Sequence, residues 1–152
     1  MPSKHVETRI TVDASPEQVY AILTDFESYP RWCRQLQLKL GGDERDGVRV
    51  GKRVWLRVNP SPVPIPCRLE VTDRGRELRW VGGPVGLLYG SHYFELRPVA
   101  GEPDKTEVVH AETFSGLLVP LLWPVMKGQL HRLYEGMNKG LAARARELAA
   151  RG

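Results

Sequence analysis

Two histidines and a glutamate, His92, His110 and Glu112, are the residues of this 152-residue chain best suited to chemistry. They sit on two neighbouring stretches of alternating residues, Tyr89 to Pro98 and Thr106 to Ser115, joined by Gly101-Glu102-Pro103-Asp104. If that join is a hairpin turn, His92 faces Glu112 and Phe94 faces His110, to within a residue or two. Phe94, Leu96, Val108 and Phe114 share the parity of the polar three, so all are expected on one, core-facing side. Ionisable groups in a core are costly unless paired. Three readings stay open. The cluster is a structural hydrogen-bond network; or it is a polar anchor for a ligand's hydroxyl, carbonyl or carboxylate; or it does chemistry. Chemistry here means a histidine acting as acid or base with Glu112 orienting it, or a His/His/Glu metal site. The metal is the weakest case, because cross-strand placement does not guarantee the ~2.1 Å metal–nitrogen distance zinc requires. No metal and no cofactor is expected.

The elements that must position these residues follow from periodicity. Val6, Thr8, Ile10 and Val12 alternate as a first strand. Ser15, Pro16 and Gln18 form a capping box that opens a helix with Val19, Ile22, Leu23 and Phe26 on one face. Pro30 ends a second short helix over Phe26 to Trp32. Strands follow at Leu36–Leu40, Arg53–Val58, Cys67–Val71 and Leu78–Trp80, with turns at Gly41-Gly42 and Arg74-Gly75-Arg76. The run from Asn59 to Pro66, proline at every second position from Pro60, is expected as a rigid connection at a sheet edge. Met126, Leu130, Leu133, Met137, Leu141, Ala145 and Leu148 recur at helical spacing, one long amphipathic helix. Pro120 and Pro124 are expected to delay its regular part until about Pro124. Gly116 to Pro124 then serves as a gate or as a buried helix start.

The totals fit one domain over residues 1–152. The 15 glycines and 12 prolines suit a turn-rich, strand-rich chain. The net charge of +4 is mild and its basic residues scattered, so no nucleic-acid surface is expected. Cys33 and Cys67 lack metal or redox spacing, which suits a reduced, cytoplasmic protein. The longest apolar run, Gly116 to Met126, is short of the roughly 20 residues that span a bilayer. No phosphate loop, nucleotide fingerprint or nucleophilic triad pattern is present. Trp55 shares parity with Arg53 and Arg57, which puts it on the outer sheet face as a hint of a homodimer surface.

Several segments resemble the SRPBCC superfamily (START, polyketide cyclase and birch-pollen-allergen proteins). They are Asp13-Ala14-Ser15-Pro16-Glu17-Gln18-Val19-Tyr20, Asp25-Phe26-Glu27-Ser28-Tyr29-Pro30-Arg31-Trp32, Gly90-Ser91-His92-Tyr93-Phe94-Glu95-Leu96, Glu112-Thr113-Phe114-Ser115-Gly116-Leu117-Leu118 and Tyr134-Glu135-Gly136-Met137-Asn138-Lys139-Gly140-Leu141. The resemblance implies an α+β helix-grip fold: a curved antiparallel sheet of about seven strands wrapped around the long C-terminal helix, with two short helices after the first strand. Its functions are diverse. Expected first is a carrier of a small, mostly apolar, lipid- or polyketide-like molecule in a cavity of a few hundred Å3 between sheet and helix. The alternatives are a cyclase or dehydratase in that cavity, or a protein-interaction module of the chaperone-activator kind. Its walls are expected from Trp32, Val54, Leu56, Leu69, Trp80, His92, Phe94, His110, Glu112, Phe114, Leu118, Met126, Leu130, Leu133, Tyr134 and Met137.

Overall fold

The computed structural model describes residues 1–152, apart from the side chain of Glu44. Alternating residues build seven strands: β1 (Ser3–Val12), β2 (Leu36–Leu40), β3 (Arg53–Val58), β4 (Ile65–Asp73), β5 (Glu77–Gly82), β6 (Tyr89–Val99) and β7 (Glu102–Ser115). They form one antiparallel sheet in the order β1-β7-β6-β5-β4-β3-β2. Helix α1 (Pro16–Thr24) opens with the expected capping box. Ser15 Oγ accepts from the Gln18 amide at 3.2 Å and Gln18 Oε1 accepts from the Ser15 amide at 2.9 Å. A 3-10 helix over Phe26–Arg31 follows, and α2 (Val119–Arg151) closes the chain. The helix-grip arrangement is therefore present. No helix among the described residues is long and apolar enough to cross a membrane.

Four features differ from the sequence reading. The last hairpin turns at Ala100-Gly101, not at Gly101–Asp104, and β7 starts at Glu102 instead of Thr106. Gly101 has φ +77°, which a turn this tight needs. A bulge takes up the difference, since Pro98 faces Thr106 while Val99 faces Glu102. A second bulge at Glu70 pairs Leu69 with Trp80 but Val71 with Arg79, which takes Val71 off the inward face and bends the sheet. Next, β4 begins at Ile65, inside the proline-rich run, with Pro66 opposite Trp55. Pairing with β5 reaches only Cys67 and Gly82, so Pro66 lies at a local edge where its missing N–H costs little.

The fourth difference is the start of α2. It is helical from Val119. Pro120 occupies the first turn, where no N–H is required, and Pro124 gives up only the bond to the Pro120 carbonyl. The segment before it is pinned: the amides of Gly116, Leu117 and Leu118 donate to the carbonyls of Pro2, Gly86 and Leu87 at 2.9–3.0 Å. Gly116 to Pro124 therefore leads by backbone hydrogen bonds directly into the helix.

The core lies between the concave sheet face and the helices. Helix α2 lies chiefly along β1, and also against β7 and α1. It buries Tyr134, Met137, Asn138, Leu141, Ala142 and Ala145. At Gly140 the carbonyl of Trp32 sits where a Cβ would be, so the short helices pack directly against the α2 backbone.

Candidate functional site

The β6–β7 register places His92 opposite Glu112 and Phe94 opposite His110. Above them, Tyr134 and Asn138 stand four residues apart on α2 and reach down to the same strands. A continuous hydrogen-bonded chain results. The Tyr134 hydroxyl donates to Glu112 Oε1, and the same oxygen lies 3.2 Å from His92 Nδ1. His92 Nε2 is 2.7 Å from His110 Nε2, and His110 Nδ1 is 2.8 Å from Asn138 Oδ1. Asn138 Nδ2 donates to Thr8 Oγ at 2.8 Å, and Thr8 donates to the His110 carbonyl at 2.9 Å.

The last bond fixes the direction of all the others. A carbonyl oxygen can only accept, so Thr8 donates to it and must accept from the Asn138 amide. That turns Asn138 Oδ1 toward His110, whose Nδ1 therefore carries the hydrogen. His110 is completely buried; burial and the neighbouring His92 hold its pKa well below the usual histidine value, against the pull of the Asn138 bond. It is neutral, so its Nε2 is bare and accepts from His92 Nε2–H. His92 Nδ1 then faces Glu112 Oε1, and two bare acceptors would repel at that distance. One proton lies between them: His92 is an imidazolium beside a carboxylate, or Glu112 is a carboxylic acid beside a neutral imidazole. The arrangement can hold or pass a single proton.

The ring environment is dense. Phe94 stacks on His110 at 4.2 Å between centroids, Trp80 stacks on His92 at 4.7 Å, and Tyr134 lies 4.5 Å from His110. Burial and the Glu112 charge push the Tyr134 hydroxyl well above its usual pKa, so it stays a donor. Glu112 Oε2 is the free end of this hydrogen-bonded chain. Among the described residues it has no hydrogen-bond partner, yet it is not sealed from solvent; the Glu112 side chain is 15 % exposed against 7 % for His92. It leans over Gly90, into the space a Cβ there would fill. Beside Gly90 on the concave face are Gly82 and then Cys67, whose thiol is pushed up to about 11 by burial and by the Glu112 charge.

The profile of the family described as polyketide cyclase / dehydrase and lipid transport matches residues 3–146. The chain belongs to this family. Solved structures of similar shape include a START superfamily protein from Mycobacterium smegmatis, 20% identical, TM-score 0.75, covering 95% of this chain and 98% of that one. The Zhui aromatase/cyclase from Streptomyces sp. R1128 is 14% identical with TM-score 0.74 over 95% and 94% of the two chains. A norcoclaurine synthase from Thalictrum, solved with a transition-state analogue, is 14% identical with TM-score 0.72 over 97% of each. At such identities the likeness is one of fold. No curated protein sequence matches the chain.

Within this family fold the residues expected as pocket walls fall into three groups. Val54, Leu69, Trp80, Phe94, His110, Tyr134 and Met137 are buried to 2 % exposure or less, and His92 and Phe114 nearly as deeply. Around His92 and His110 the rings of Trp80, Phe94 and Tyr134 lie 4.2–5.0 Å away between centroids. Met126, Leu130 and Leu133 on α2, and Leu56 on β3, are only partly buried. Tyr134, Leu130 and Met126, four residues apart, form a stripe that runs from Glu112 toward the helix start, buried at Tyr134 and partly buried at Leu130 and Met126. Leu118 and Trp32 lie apart from the cluster. Leu118 is exposed beside Leu87, while Trp32 packs on Tyr29 at 4.6 Å and leaves its Nε1 buried without a partner. Trp55 is on the outer face as expected, beneath the Arg53 guanidinium.

Three concavities lie elsewhere. One of about 660 Å3 separates α1 from the end of α2 and includes Trp32 and Arg144; one of about 510 Å3 runs between β1 and α2; one of about 270 Å3 lies by Trp55 and the proline-rich run. Among the described residues, no three His, Cys, Asp or Glu side chains converge as metal ligands would. Sequence reasoning passed over Thr8, Asn138, Cys67, Gly82 and Gly90. The available signals were a lone Asn one turn after Tyr134 on a buried stripe, and glycines at inward parity on two adjacent strands.

Proposed function

We propose that this chain binds a small, mostly apolar molecule under the first half of α2, with the Glu112 carboxylate as its polar contact. The observation that carries the reading is Glu112 itself. One oxygen is held by Tyr134 and His92, the other has no protein partner, and an apolar stripe leads away from it along α2 through the partly buried Leu130 and Met126. Sites for small molecules combine apolar walls with few polar groups in this way. Support also comes from the rim. Val85, Leu87, Leu117, Leu121 and Val125 are exposed there, Leu121 at 74 % and Val125 at 67 %, and apolar groups gathered at one place on a surface mark an interaction site. The test is native mass spectrometry of the purified protein, with and without added naphthalene-type probes. Leu130→Lys puts a charge on the stripe and is expected to lower probe affinity at least tenfold. Unchanged binding in this variant removes the site from α2.

A second reading, a cyclase- or dehydratase-type enzyme, is favoured by the proton held between His92 and Glu112. It requires that His92→Ala lose turnover of a poly-keto substrate while keeping affinity for it.

A further inference from the structure

Resting on that binding reading, we infer that the site selects ligands presenting a hydrogen-bond donor, such as an alcohol, phenol or enol hydroxyl, and rejects carboxylates. The Thr8 to Asn138 to His110 bonds run in one direction only and leave His92 Nε2–H as donor to His110. The remaining proton is confined to the 3.2 Å gap between His92 Nδ1 and Glu112 Oε1. When it sits on the nitrogen, Glu112 is a carboxylate and Oε2 accepts. When it sits on Oε1, Oε2 is the carbonyl oxygen of the acid and still accepts. Both states present the same face to a ligand. Oε2 is an acceptor either way.

A ligand hydroxyl satisfies that oxygen. A ligand carboxylate sets a second acceptor, and a negative charge, against it. No Lys or Arg among the described residues reaches Glu112 to offset the charge: the basic side chain beside it is His92, already engaged through Oε1. Sites that hydrogen-bond a polar group in a partly dry setting discriminate strongly against the wrong partner, because a buried acceptor is left unpaired or opposed. Fatty-acid-like anions are therefore excluded, and molecules headed by a neutral hydroxyl are admitted.

The experiment uses three probes of one shape, naphthalene, 2-naphthol and 2-naphthoate, titrated into the intact protein near pH 7.5 by calorimetry or tryptophan fluorescence. The expected order is 2-naphthol tightest, at least tenfold over naphthalene, with 2-naphthoate weakest. In Glu112→Gln the amide can turn its N–H2 outward, and the advantage of 2-naphthol over naphthalene is expected to fall to about threefold or less. Gly90→Ala, which crowds Oε2 without removing it, is expected to weaken 2-naphthol more than naphthalene. Equal or tighter binding of 2-naphthoate overturns the inference while leaving an apolar site intact. So does a preference for 2-naphthol that survives in Glu112→Gln. Failure of all three probes to bind counts against the apolar site itself, and the inference falls with it.

Discussion

Replacing Asn138 by Leu tests the direction of the buried chain, because the two side chains are close in size and only the polar atoms differ. The substitution removes two bonds of 2.8 Å, one from His110 Nδ1–H and one to Thr8 Oγ. Each net neutral hydrogen bond is worth about 1 kcal/mol, and a buried donor left unpaired costs a further ~1–3 kcal/mol. His110 can avoid that second cost by moving its hydrogen from Nδ1 to Nε2. It then donates to His92 Nε2, and His92 donates from Nδ1 to Glu112, so the extra proton is no longer required. The expected loss of stability is therefore about 2 kcal/mol, a drop in Tm of roughly 4–8 °C for a chain of this size. The decisive assay is two-bond 1H–15N correlation of the histidine rings. The wild type should show His110 as the neutral Nδ1–H tautomer, and Asn138→Leu should show it as Nε2–H. An Nε2–H tautomer in the wild type refutes the chain of donors. So does a loss below 0.5 kcal/mol, as a rough threshold, since surface changes fall within that range.

Acid should weaken the fold through His110. Its folded pKa is depressed by burial, so below about 6.5 the unfolded chain takes a proton that the folded chain refuses; the stability is present above that value and lost as pH falls. Between pH 7.5 and 5.5 this one group removes about 1.4 kcal/mol, measurable as a lower urea midpoint, and His110→Phe should flatten that part of the slope. The helix glycines should respond in opposite directions. Gly140→Ala drives a methyl into the Trp32 carbonyl and should cost about 2–3 kcal/mol in chemical denaturation, whereas Gly136→Ala meets nothing within 4 Å and should gain about 0.5–1 kcal/mol.

The parts of this fold that were legible in the sequence are those where periodicity and turn chemistry agree. The register of β6 on β7 follows from strict alternation, and the bulge beside Pro98 leaves it undisturbed because it falls beyond Leu96 and Val108. The start of α2 was not legible. Two prolines in six residues argue against helix, and what overrides them is tertiary: Val119 is buried, Trp123 packs near Phe114 at 6.2 Å, and the preceding amides are bonded to the 86–87 carbonyls. The polar cluster was legible as a pair of facing strands and no further. Thr8 reads as one more member of an alternating strand, and Asn138 sits beside Met137 like any polar residue bordering a stripe. Their convergence depends on where α2 lies across β1, which no local pattern encodes. The ring cluster was hidden for a related reason. Parity tells which rings point inward, but not that Phe94, His110 and Tyr134 come from three elements to one spot.

The same geometry links the ligand site to the placement of the helix. An apolar stripe alone specifies poorly where along the sheet α2 should rest, since Leu and Met side chains tolerate sliding. Tyr134 on Glu112 and Asn138 on His110 and Thr8 are two polar contacts one helical turn apart. A slip of one turn would set Leu130 against Glu112 and leave Asn138 and His110 unpaired, which a buried network does not tolerate. Glu112 thus carries two separable duties on two atoms. Oε1 holds the helix in register, while Oε2 is left for a ligand. A change that removes Oε1 contacts, such as Tyr134→Phe, should therefore lower Tm before it alters which probe binds best, and a change confined to Oε2 should alter probe preference at nearly constant Tm. If the two effects always move together, the free oxygen has no duty distinct from the bound one.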